Sequence, residues 1–245
     1  DYLNPGLLRN FQILGLDRLD LTQAKGCCLS TPTGETYLDF SSALGIASLG
    51  HNHPRIVAAQ KKFLDEDRVS AYKLGPHRLQ AALAHNLACF LPNPLSLSFF
   101  AVSGAEAVEA ALKLCERANG QGTKPLLVST TGSYHGRTHG TLPVTRTPGF
   151  QDGFVMGIPA ETVLEIPFGD AAALEKILAE KSKQIFAFIV EPIQGQNVEV
   201  PAPNYLRKVR ELCTRYGVLL ICDEVKMGLG DRKSTRLNSS HGYRS

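Results

Sequence analysis

The sequence predicts an α/β domain built on a mostly parallel sheet with helices on both faces. Short continuous apolar runs alternate with segments whose apolar residues recur at close to a 3.6-residue period. The runs are apolar throughout, as strands covered on both sides are. At 245 residues and 43% hydrophobic composition, the chain has enough apolar surface for one large domain, or one with a small appendage.

Taken in order, residues 1 to 25 carry scattered apolar positions (Leu7, Leu8, Phe11, Leu14, Leu19) suited to packing on a larger body. Cys27-Cys28-Leu29 and the alternating run ending at Phe40 flank Thr31-Pro32-Thr33-Gly34, which suggests a small antiparallel hairpin. Gly45 to Pro54 reads as a loop and Ile56 to Leu64 as a helix. Apolar residues at Leu79, Ala82, Leu83, Leu87 and Phe90 predict a helix stopped by Pro92. The strands expected after it are Leu97 to Val102, Leu126 to Thr130, Ile185 to Val190 and Val218 to Cys222. The helices between them are Ser103 to Ala118, Ala171 to Lys181 and Tyr205 to Tyr216.

Ligands of an open parallel sheet sit beyond the carboxyl ends of its strands. Four polar clusters fall there: Ser103-Gly104-Ala105, Thr131 to Gly136, Glu191-Pro192 and Asp223-Glu224. One site is expected to draw on all four.

Each cluster suits a particular chemistry. Ser103-Gly104-Ala105 opens a helix, so it serves either as an ordinary cap or as a phosphate site made of free amides. Tyr134 can lie against a planar ligand or simply pack in its loop, and His135 reads as a ring-positioning group rather than a base. Asp223 ends an apolar run, and a buried carboxylate requires a positive or hydrogen-bonding partner. A protonated pyridine nitrogen would supply one, and so would a Lys or Arg in a structural salt bridge. Glu191 is a second buried-carboxylate candidate, able to orient a ring or meet a substrate cation.

Other function classes lack support. The net charge of +3 is spread over interspersed residues and gives no field for nucleic acid or an anionic membrane. No run approaches a membrane span, the N-terminus lacks signal-peptide order, and cytosol is the default compartment. The six cysteines have no C-x-x-C spacing and read as reduced, mostly buried thiols rather than disulfides or zinc ligands. His51 and His53 lack a third metal ligand nearby, so no metal site is expected. No Gly-rich nucleotide motif stands at a strand-to-helix turn.

In combination the motifs resemble those of class III aminotransferases, pyridoxal phosphate enzymes of the aspartate-aminotransferase superfamily. The residues carrying the resemblance are Gly34 to Asp39, Leu49 to Pro54, Phe100 to Lys113, Tyr134 to Gly140, Glu191 to Gly195 and Asp223-Glu224-Val225. It implies an aspartate-aminotransferase-like fold of type I, present in truncated form. It also implies that Ser103, Gly104 and Ala105 hold the cofactor phosphate, Tyr134 stacks on the pyridine ring and His135 lies beside it. Asp223 would pair with the ring nitrogen, Val225 would pack on the other ring face, and Glu191 would lie near the substrate as a catalytic group. Lys226 stands where the family usually has glutamine near the ring hydroxyl, so its ammonium either takes that place or points elsewhere.

The implied reaction exchanges an amino group between an amine donor (an ω-amino acid, a diamine or an ornithine-like compound) and a 2-oxo acid, in a homodimer. A mutase, decarboxylase or lyase with the same cofactor is the near alternative, and a cofactor-binding piece without catalysis is the distant one. The family's Schiff-base lysine lies beyond Asp223-Glu224-Val225, in a segment this sequence does not contain, so neither Lys226 nor Lys233 is expected to replace it. The implied organisation is an N-terminal segment with part of a small domain over 1–75, and the first part of the large cofactor domain over 76–230. The polar tail 231–245 resembles a translated sequencing adapter and is set aside from fold reasoning.

Overall fold

A computed structural model describes residues 4–70, 74–92, 94–120, 123–155 and 157–228. The tail expected at 231–245 lies outside the described residues. The chain separates into two compact units, Asp1–Gly75 and Pro76–Ser245.

In the first unit, helix α1 (Pro5–Ile13) starts at Asn4, whose side-chain oxygen accepts from the Gly6 amide at 2.8 Å. Strands β1 (Gln23–Lys25), β2 (Cys28–Ser30) and β3 (Thr36–Leu38) form one antiparallel sheet in that order. The β2–β3 pair is the expected hairpin, with Leu29 opposite Tyr37. Gln-Ala-Lys has no strand-like pattern, and β1 exists because the turn at Gly26 folds it back onto β2. A four-residue turn, α2 (Ser42–Gly45), and helix α3 (Pro54–Asp65) complete the unit.

His51 Nε2 meets Asp39 Oδ2 at 2.7 Å within this loop-rich region. Asp39 also accepts from the Ser41 hydroxyl and amide and from the Ala43 amide. The Ser41 hydroxyl, followed by His51, holds the Asp39 carboxyl down at about 2. Both side chains are therefore spent on loop structure, and among the described residues no group of three metal-ligating side chains occurs.

In the second unit, α4 (Arg78–Phe90) and α5 (Gly104–Ala118) precede a four-stranded sheet. Its strands are β4 (Leu126–Thr130), β5 (Val163–Ile166), β6 (Ile185–Val190) and β7 (Leu219–Cys222), all parallel in the order β5-β4-β6-β7. Helices α6 (Ala171–Lys181) and α7 (Tyr205–Tyr216) connect β5 to β6 and β6 to β7. Val108 and Leu112 of α5 pack on Leu127, Ala187 and Ile189 on one face. On the other face, Leu174, Leu178, Val209 and Leu212 of α6 and α7 cover Val128, Phe188 and Val190. The two-sided cover explains why all six residues of β6 are apolar and buried.

Three expectations need correction. Leu97 to Val102 forms no strand; Leu97 and Val102 are almost fully exposed, because an extended segment becomes a strand only against a partner, and none meets it among the described residues. Conversely, Val163–Ile166 is an unexpected edge strand, its apolar pattern broken by Glu165, which pairs with Arg146 at 2.8 Å. The six cysteines are all free, but only Cys213 is buried.

This topology creates a crevice. The chain leaves β4 towards β5 on one side, whereas it leaves β6 towards β7 on the other, so the loops after β4 and β6 diverge. Side chains projecting from the two loop starts meet at that switch point.

Candidate functional site

The site is assembled where these loops diverge. Asp223 follows β7 directly, and its amide still donates to the Val190 carbonyl at 2.9 Å, which holds it against the end of β6. His135 lies five residues beyond β4, and the Thr145 hydroxyl pins its backbone by accepting from the His135 amide and donating to the Gly136 carbonyl. These anchors bring His135 Nδ1 to 2.7 Å from Asp223 Oδ2, with both side chains buried. The other carboxylate oxygen, Oδ1, accepts from the Val225 amide at 3.0 Å. Among the described residues Asp223 makes no ion pair with a Lys or Arg. His135 Nε2 is buried and has no hydrogen-bond partner among the described residues.

Glu191, at the end of β6, is buried and uses both oxygens on backbone amides. Oε2 accepts from Tyr134 at 3.0 Å and Oε1 from Gly195 at 2.8 Å. Burial pushes its carboxyl above the usual carboxylate range, opposed by these two amides and by nearby His135, while Asp223 adds to the rise.

A raised folded-state value means that the Glu191 contribution to stability is complete below the ordinary value of 4.5 and is lost as pH rises through the folded value. Thermal unfolding of wild type and Glu191→Gln across a pH series should therefore show the difference most in favour of wild type at the acid end and shrinking upwards. A difference independent of pH would contradict it.

The helix end completes the cluster. Ser103 caps α5 by accepting from the Glu106 amide at 3.2 Å, and Glu106 accepts in return from the Val102 amide at 2.8 Å. The amides of Gly104 and Ala105 have no acceptor among the described residues. Val225 lies over this end, its Cγ1 only 2.7 Å from where a β-carbon on Gly104 would stand. A β-carbon on Gly136 would likewise stand 2.7 Å from Ala105 Cβ. Tyr134 is half-buried with its ring edge-on to Phe150, centroids 5.4 Å apart.

All the residues singled out from the sequence therefore gather in one place: Ser103, Gly104, Ala105, Tyr134, His135, Glu191, Asp223, Val225 and Lys226. Lys226 Nζ donates to the Gly195 carbonyl at 2.8 Å. Thr145 and Phe150 had no sequence signal, since each acts through a contact rather than a motif. Chemically, the cluster offers a helix N-terminus for an anion, an aromatic face and a buried carboxylate that has no Lys or Arg partner among the described residues. These features fit a planar, phosphorylated cation.

Comparison with known proteins gives the same direction. The profile described as aminotransferase class-III matches residues 15–232. Acetylornithine aminotransferase of Methanosarcina acetivorans is 36% identical over 220 residues, covering 89% of this chain and 53% of that protein. Putrescine aminotransferase of Pectobacterium atrosepticum is 36% identical over 238 residues, covering 94% and 50%. The ω-transaminase of Pseudomonas jessenii, solved in complex with PMP, superposes with a TM-score of 0.77 at 31% identity, covering 94% of this chain and 55% of that one. The chain spans about half the length of the curated relatives it matches.

Proposed function

The chain belongs to the class III aminotransferase family, whose type I fold it carries in part, and from this premise we propose that the whole protein is a pyridoxal phosphate-dependent aminotransferase. Its donor would be an ω-amino acid, a diamine or an ornithine-like amine, and its acceptor a 2-oxo acid. The names of the relatives, acetylornithine and putrescine aminotransferase, support that donor class.

The carrying observation is Asp223, a buried carboxylate whose partners among the described residues are His135 Nδ1 and one amide. When bound, the cofactor's protonated ring supplies a sink for the electrons released as a proton leaves the carbon beside the amino group. Asp223 would keep the ring nitrogen protonated. His135 would hold that carboxylate in orientation, and the amides of Gly104 and Ala105 with the Ser103 hydroxyl would bind the phosphate. Tyr134 and Val225 would take the two ring faces. Glu191 and Lys226 would line the side towards the substrate.

The whole protein is proposed as a homodimer. The six free cysteines support a reducing compartment, here the cytosol; no helix among the described residues is long and apolar enough to cross a membrane.

The purified whole protein should bind pyridoxal phosphate with a visible absorbance band and transfer amino groups from members of an amine panel to 2-oxoglutarate or pyruvate. Absence of both would overturn the proposal. Product analysis with one donor distinguishes transfer from decarboxylation, elimination or migration.

A further inference from the structure

We propose that Glu191, Gly195 and Lys226 form a latch that positions the site, with neither charged side chain touching substrate or cofactor. The inference rests on the aminotransferase reading above and changes what two of its residues do.

The geometry is a single residue held at its amide by a carboxylate and at its carbonyl by an ammonium. The Gly195 amide donates to Glu191 Oε1 at 2.8 Å, and the Gly195 carbonyl accepts from Lys226 Nζ at 2.8 Å. The amide belongs to the Gln194–Gly195 peptide and the carbonyl to the Gly195–Gln196 peptide, so the two hydrogen bonds fix the peptide planes on either side of one residue. Glu191 has no oxygen left without a partner, because Oε2 accepts from the Tyr134 amide at 3.0 Å. One carboxylate thus fixes the start of the Tyr134 loop and the Gly195 turn, while Lys226 ties that turn to the segment that follows Asp223.

Glycine at 195 supports the latch. Its φ lies outside the left-handed region, so the backbone does not demand glycine there. What demands it is close approach: a β-carbon would stand 2.6 Å from Lys226 Cδ and 3.3 Å from Glu191 Oε1. The lysine stem crosses the bare face of this residue to reach its carbonyl. Gln194, fully buried beside it, donates to the Thr131 carbonyl at 2.6 Å and fastens the same turn to the end of β4.

The test is a double-mutant cycle in the whole protein, reading the dissociation constant of pyridoxal phosphate from its absorbance. Lys226→Met keeps the stem and removes the charge; Glu191→Gln removes the other. Each single variant should bind about tenfold more weakly, the size of one hydrogen bond to a charged group. The double variant should be no weaker than the worse single, since both act by fixing one residue. Lys226→Arg should restore binding in large part. In the cofactor-free protein, the Gly195 and Tyr134 amides should exchange hydrogen faster in Glu191→Gln, and that of Gly195 also in Lys226→Met.

Independent effects that multiply in the double variant would overturn the latch. So would a shift in the position or pH titration of the visible band in Lys226→Met, which would mean that the ammonium touches the ring. Failure of wild type to bind pyridoxal phosphate would instead overturn the aminotransferase reading.

Discussion

Replacing Asp223 with Asn in the whole protein is expected to lower kcat/KM by about 10²–10³-fold, the usual loss when one preorganised electrostatic partner of developing charge is removed. Asn retains the shape: its oxygen can accept from the Val225 amide, which the carboxylate meets at 3.0 Å, while its NH2 would face His135 Nδ1 and donate to it in the other imidazole tautomer. The fold should therefore survive, while the negative charge that would keep a ring nitrogen protonated is lost. Asp223→Ala should add a stability loss of about 1–3 kcal/mol, because it leaves the buried His135 Nδ1 without a partner. Steady-state kinetics with one amine, together with thermal unfolding, separate the two effects. Wild-type kcat/KM in Asp223→Asn would remove the charge from the mechanism.

The second large effect is expected at Gly136, where φ is +120°. An alanine there would be strained in the backbone, and its β-carbon would stand 2.7 Å from both Ala105 Cβ and Thr141 Oγ1 and 3.1 Å from Ala105 Cα. The contact with Ala105 involves backbone at the start of α5, which cannot swing aside as a long side chain would. Strain and overpacking together should remove about 3 kcal/mol, or roughly 6–12 °C in Tm for a domain of this size. Calorimetry of Gly136→Ala against wild type checks it, and an unchanged Tm would show that the loop and the helix end can part freely. Cofactor affinity should fall in the same variant, since this contact aligns the Tyr134 loop with the amides of Gly104 and Ala105.

The sequence by itself determined the elements whose signal is local. The apolar runs of β4, β6 and β7 and the helical periods of α4 to α7 were legible because strand and helix signals are local: β6, buried on both faces, is apolar throughout, and an amphipathic helix repeats every 3.6 residues. The gathering of Ser103, Tyr134, His135, Glu191 and Asp223 was legible for the same reason, as each stands at the end of an apolar run or the start of a helix. Leu97 to Val102 was misread and Val163–Ile166 was passed over because strand identity belongs to a pair, and the partner is not written into the segment.

Only the tertiary structure decided what each polar group answers. His135 and Asp223 are 88 residues apart, Tyr134 and Glu191 57, and Gly195 and Lys226 31. A buried charge must find a partner, but the chain can bring any of several donors to it, and the choice is made by sheet order. The switch in direction between β4 and β6 puts an imidazole beside Asp223 and two amides against Glu191. The same placement brings a glutamate to the amide of Gly195 and a lysine to its carbonyl.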